Sequence, residues 1–139
     1  MIKKFAFLIL ALTSNAALAQ WVAFDSNEQS ASYFIQSKVG VADGIAYVSV
    51  LINFDKPQAL SVEAKPKMFY TSKFETLMFD CGTQKFTVPD YSYHADKNGK
   101  GEVVHWVSIE PGALQWSDIN KETSKQILFK KIRNACEQN

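Results

Sequence analysis

Residues 45–54 read Ile-Ala-Tyr-Val-Ser-Val-Leu-Ile-Asn-Phe, and the fold class turns on this stretch. Successive side chains of a strand point to opposite sides. Ala46, Val48, Val50, Ile52 and Phe54 therefore share one face, while Tyr47, Ser49, Leu51 and Asn53 share the other. The first set is wholly apolar and is the expected core face. Asp43-Gly44 just before it is a tight-turn signal, so Tyr33 to Gln36 is expected to pair with this strand as a hairpin around a longer loop. Asp55-Lys56-Pro57 is expected to end the strand, because proline has no amide hydrogen for the ladder.

Outward from that strand the same period recurs. From Gln58 to Lys67 the pattern fades into a loop containing Pro66, then resumes from Phe69 to Cys81, where Phe74, Thr76 and Met78 oppose Glu75, Leu77 and Phe79. Gly82-Thr83-Gln84 turns the chain into a shorter run, Lys85 to Val88. The cluster from Asp96 to Gly101 makes a second turn before another strand, Glu102 to Ile109, with Val103, His105, Val107 and Ile109 on one side. Pro111-Gly112 closes it. After Trp116 the period changes: Thr123 with Gln126 reads as a capping box, and Ile127, Leu128, Ile132, Ala135 and Cys136 recur at helical spacing. An amphipathic C-terminal helix is expected, with Lys121, Lys125, Lys130, Lys131 and Arg133 on its polar remainder.

The first nineteen residues have a different character. Lys3 and Lys4 precede an apolar run from Phe5 to Leu12, then polar residues and a small-residue ending, Ala17-Leu18-Ala19. That order is a secretory signal peptide, with cleavage expected between Ala19 and Gln20. The run is well short of the roughly 20 apolar residues of a membrane-spanning helix, and no transmembrane segment is expected. A lipoprotein would need a cysteine just after the run, so no lipid anchor is expected either. Residues 20–139, without repeats or linkers, read as one domain exported to the periplasm or beyond.

The whole chain has 139 residues, 47% hydrophobic, with a net charge of +1, which suits a globular domain and supplies no basic field for a nucleic-acid partner. Cys81 ends a strand and Cys136 ends the helix. In an exported chain these two are expected to bond, tying the helix to the sheet. His94 and His105, with Asp90 or Asp96 nearby, are separated by a turn and are not expected to form a metal site. Asp96-Lys97-Asn98-Gly99 opens like a calcium loop, but Lys100 stands where an oxygen ligand belongs, so turn geometry accounts for it. No serine lies in a nucleophile elbow and no Gly-rich phosphate cradle occurs, so neither an enzyme nor a cofactor is expected. Trp21, Trp106 and Trp116 are read as core packing. Lys125, Lys130, Lys131 and Arg133 are the candidate contact surface for an anionic macromolecule.

The landmarks also occur in a telling order. Trp21-Val22 and Ser32-Tyr33-Phe34-Ile35 come first, then Asn53-Phe54-Asp55-Lys56-Pro57-Gln58, Asp80-Cys81 and Tyr91-Ser92. Gly99-Lys100-Gly101-Glu102-Val103-Val104 follows, then Ile109-Glu110-Pro111-Gly112 and a terminal helix carrying Cys136. This order resembles the surface-adhesin protein E family over essentially the whole mature chain. The resemblance implies an α+β fold: a single antiparallel β-sheet of about six strands, with a C-terminal α-helix packed on it and tethered by one disulfide. It also implies an adhesin-like binding protein that contacts host extracellular matrix proteins or other macromolecules. The alternative is a periplasmic envelope-associated protein that holds a small hydrophobic ligand between helix and sheet, or assists envelope maintenance.

Overall fold

The computed structural model describes residues 20–60 and 68–138. The expected signal peptide, 1–19, and most of the loop containing Pro66 lie outside the described residues. Among the described residues eight strands form one antiparallel sheet: β1 (Trp21–Ser26), β2 (Ser30–Ile35), β3 (Gly40–Ala42), β4 (Ile45–Ala59), β5 (Phe69–Asp80), β6 (Lys85–His94), β7 (Val103–Ser108) and β8 (Ser117–Asp118). The main path runs β1-β2-β4-β5-β6-β7, with the short β3 and β8 pairing β4 and β6. The helix α1 (Thr123–Glu137) follows. The expected α+β architecture is thus the observed one, with six principal strands and two short additions.

The reading of residues 45–54 sets the layers. Ala46, Val48 and Val50 are buried on the helix side, opposite Phe79, Leu77 and Glu75 of β5 and beside Phe34 of β2. Leu128, Phe129 and Ile132 of α1 close this core with Ile119, and Phe129 meets Phe79 at 5.7 Å between ring centroids. The helix lies across β1, β3 and β4. Asp43 and Gly44 both take positive φ, 53° and 75°, in the tight turn between β3 and β4. Tyr33 pairs with Leu51 as expected, and β3 fills the longer loop between them.

Two strands run on past prolines: Pro57, expected to end its strand, and Pro89, which follows the expected run Lys85 to Val88. β4 runs past Pro57 to Ala59, because its pairing with β5 breaks after Asn53 and resumes at Gln58, leaving Phe54 to Pro57 against Thr71 alone. β6 runs past Pro89 to His94, because Val88 and Pro89 together stand against Leu77. In a bulge the extra residue makes no ladder bond, so the missing amide hydrogen costs nothing there. The capping box also fails. Glu122 is the N-cap and gives no side-chain cap bond, while Gln126 Nε2 turns outward to donate to Asn120 O at 3.1 Å.

The other side of the sheet carries a smaller cluster. Trp21 stacks on Phe74 at 5.8 Å, and His94 meets Phe74 edge-on at 5.2 Å, with Leu51 and Ser72 buried. The loop from Asp96 to Gly101 folds down onto it. Ser72 Oγ donates to Asp96 O and accepts from Gly99 N–H at 2.9 Å, while Asn53 and Asn98 exchange two bonds of 2.8 Å each. The segment that opens like a calcium loop is therefore a latch made of turn geometry.

Candidate functional site

On the helix side, the core face of β5 changes character along the strand. Phe79 and Leu77 are apolar, but Glu75 and Lys73 continue the same alternation toward the other end. Glu75 is 7% exposed and holds one ammonium on each oxygen: Lys73 Nζ on Oε1 at 2.8 Å and Lys125 Nζ on Oε2 at 3.1 Å. Glu122 stands 4.0 Å from Lys125. Lys73 Nζ also lies over the Tyr91 ring at 4.8 Å and the Tyr93 ring at 5.3 Å. Tyr93 in turn contacts Tyr70 at 4.4 Å and stacks with His105 at 6.3 Å. Lys73, Glu75, Tyr91 and Tyr93 line one wall of a groove of about 280 Å³, with Phe86 and Val88 beside them and Glu122 and Lys125 on the helix side.

Burial pushes the Glu75 carboxyl up, but Lys125 and Lys73 outweigh it and hold the group below its ordinary 4.5. Burial pulls Lys73 down, and Glu75 together with Tyr93 more than reverses this, leaving Lys73 above 10.5. On the other face burial alone pushes His94 below its ordinary 6.5. Its Nε2 is 2.8 Å from Ser92 Oγ, and its buried Nδ1 has no hydrogen-bond partner among the described residues. Both depressed groups act in the same direction. The unfolded chain takes up their protons first, so stability is full above 6.5 and declines as pH falls, first through the His94 window and then below 4.5 through that of Glu75. Urea midpoints measured between about pH 8 and pH 3 are expected to fall in these two stages. His94→Gln should remove the upper one; an unchanged upper stage in that variant would show that another group carries it.

The structure divides the candidate basic surface. Lys130, Lys131 and Arg133 are exposed on α1, and the Arg133 guanidinium lies over the Phe129 ring at 5.7 Å. Lys125 is not part of that surface: it is 8% exposed and turned inward to Glu75. The helical period explains this, since Lys125 shares the inward stripe with Leu128, Phe129 and Ile132. The core reading of the tryptophans also needs correction. Trp21 is half-buried, but Trp106 is 66% exposed and Trp116 37%. Trp106 belongs to β7, the last strand of the main sheet path, and its partner Ser92 places it away from the helix.

His94 and His105 lie on opposite sides of the sheet, one against Phe74 and the other on Tyr93, so they cannot share a ligand. The junction of helix and sheet, where a small hydrophobic ligand would sit, is filled by Phe34, Val48, Val50, Phe79, Leu128, Phe129 and Ile132, all nearly inaccessible. Cys81 and Cys136 are bonded, with their Cα atoms 5.8 Å apart. The sequence alone assigns no site role to the groove residues Lys73, Glu75, Tyr91 and Tyr93, although Tyr91 is among the landmarks of the resemblance. The available signal was charge at positions whose alternation assigns them to the core face.

The family described as Surface-adhesin protein E matches residues 21–137. Crystal form II of Haemophilus influenzae protein E is similar at TM-score 0.62 and 15% identity, covering 86% of this chain and 91% of that one. Protein E from non-typeable Haemophilus influenzae is similar at TM-score 0.56 and 16% identity, covering 85% and 80%. At these identities the structural likeness is one of fold. No curated protein matches the sequence. Among the described residues no helix is long and apolar enough to cross a membrane.

Proposed function

The chain belongs to the surface-adhesin protein E family, and from that membership we propose that it is an exported, non-enzymatic protein that works by binding a macromolecule outside the cytoplasm. Residues 1–19 act as its signal peptide, and residues 20–139 are the binding domain. The partner is a host matrix protein or another anionic macromolecule. The observation that supports this reading beyond family membership is the basic surface of α1. Lys130, Lys131 and Arg133 stand exposed on a helix fixed at its last turn by a disulfide, so the charges are presented on a rigid support. The apolar part of the helix–sheet junction is filled, and the groove beside it carries Lys73, Glu75, Glu122 and Lys125, so the small hydrophobic ligand of the alternative has no comparable support.

Charge reversal tests the reading. The double variant Lys130→Glu, Lys131→Glu alters exposed positions and should change stability by less than about 0.5 kcal/mol. Its capture by immobilised matrix proteins or sulfated glycans should fall, and the wild-type interaction should weaken as salt rises. Wild-type protein that shows no salt-sensitive capture, while a lipophilic molecule co-purifies with it, would overturn the proposal in favour of the envelope-associated reading.

A further inference from the structure

We propose that the groove between the first turn of α1 and the tyrosines of β6 is a binding subsite for an acidic sugar residue, a pyranose carrying a carboxylate. The proposal rests on the macromolecule-binding reading above and names a chemical class for part of the partner.

Three observations carry it. The first is the cost of the arrangement. Burying a carboxylate with two ammoniums is expensive, and apolar residues of similar volume often serve a fold as well or better. Here Lys73 and Glu75 continue the row of Phe79 and Leu77 on β5, and Lys125 continues the stripe of Leu128, Phe129 and Ile132 on α1, where apolar side chains would extend the core.

The second is charge. Two ammoniums and two carboxylates line the groove; Glu75 is paired with both ammoniums, while Glu122 is 54% exposed and stands 4.0 Å from Lys125, at the limit of pairing. Each ammonium has three donors. Lys73 and Lys125 each give one to Glu75, so donors remain for an anionic oxygen entering the groove.

The third is shape. Tyr91 and Tyr93 supply aromatic surface at the same wall, and a groove of about 280 Å³ admits a sugar ring but not a protein domain. The apolar C–H face of a pyranose packs on aromatic surface while its carboxylate reaches an ammonium. Neither contact requires the Glu75 pairs to break.

Calorimetric titration of the full mature protein tests this with glucuronic acid, a glucuronate-containing tetrasaccharide, and the same sugars with the carboxylate reduced to the alcohol. The acidic tetrasaccharide should bind in a salt-sensitive way, and its reduced counterpart should bind about tenfold more weakly or not at all, as expected for loss of a charged hydrogen bond. Binding of the monosaccharide as well would identify the ring itself as the recognised unit; binding of the tetrasaccharide alone would place that ring within a chain. Lys73→Met should weaken the acidic tetrasaccharide by a similar factor. Tyr91→Ala, which leaves the ion pairs intact, serves where Lys73→Met does not fold, and should also weaken it. Equal binding of acidic and reduced sugars, no binding of either, or binding unchanged in a folded groove variant would overturn the proposal. If wild-type protein still captures a matrix protein in those cases, the subsite fails and the broader reading stands; loss of both would remove both.

Discussion

Cys136→Ser is expected to lower the stability of the mature protein by about 2–5 kcal/mol and to loosen α1 before the sheet. The bonded cysteines are 55 positions apart, so the bond closes a long loop in the unfolded chain; the chain-entropy model puts that constraint at about 4 kcal/mol. Native domains hold only about 5–15 kcal/mol in total, so the loss is a large share. The helix keeps its burial of Leu128, Phe129 and Ile132 and should remain docked at low denaturant. Its amides should nevertheless exchange faster than those of β4 and β5. Urea unfolding of the two proteins, together with hydrogen exchange, checks both statements. A stability loss below about 1 kcal/mol would mean that packing alone holds the helix.

Gly99→Ala should cost about 2–4 kcal/mol, from two sources that add. Gly99 has φ of 68°, where a Cβ is disfavoured, and a Cβ there would overlap the Phe74 ring at Cε2 and Cζ. The ring cannot simply swing away, since it lies between Trp21 and His94. The expected result is a latch lifted from the sheet, with Ser72 Oγ losing the Gly99 amide. A double-mutant cycle with Phe74→Ala separates the sources. If the ring overlap matters, the two changes should couple by more than about 0.5 kcal/mol; strict additivity would assign the whole cost to the backbone.

Much of this architecture was legible because alternation is a strong signal when one face of a sheet is buried. Ala46, Val48 and Val50 could be assigned to the core without reference to any partner strand, and they lie there. The misread strand ends have a common cause. Pro57 and Pro89 break a ladder only where an amide must donate, and whether a bulge relieves that demand depends on the register of the neighbouring strand. Lys125 shows the other kind of miss. Its residue type points to solvent, but its position falls on the same helical stripe as Leu128, Phe129 and Ile132, and Glu75 falls on the core face of β5. Opposite charges at inward positions of two elements are a legible sign of a buried pair, hidden only by their separation of 50 positions. Trp106 could not have been placed so, because exposure at an edge depends on strand order.

The link from Cys81 to Cys136 also fixes how the domain would carry mechanical load. A pull applied between the N-terminal strand and Gln138 enters at Cys136 and crosses directly to the end of β5. The segment between the cysteines, comprising β6, β7, β8 and nearly all of α1, is taken out of the line of force. About 180–200 Å of contour length thus stays locked while the bond is intact. Tension must instead work against β1, β2 and β4, whose antiparallel ladders join the N-terminal edge to β5. Under stress the domain would lengthen only through the strands ahead of Cys81, while Tyr91, Tyr93 and the basic helix stay inside a covalently closed ring that force alone does not pay out.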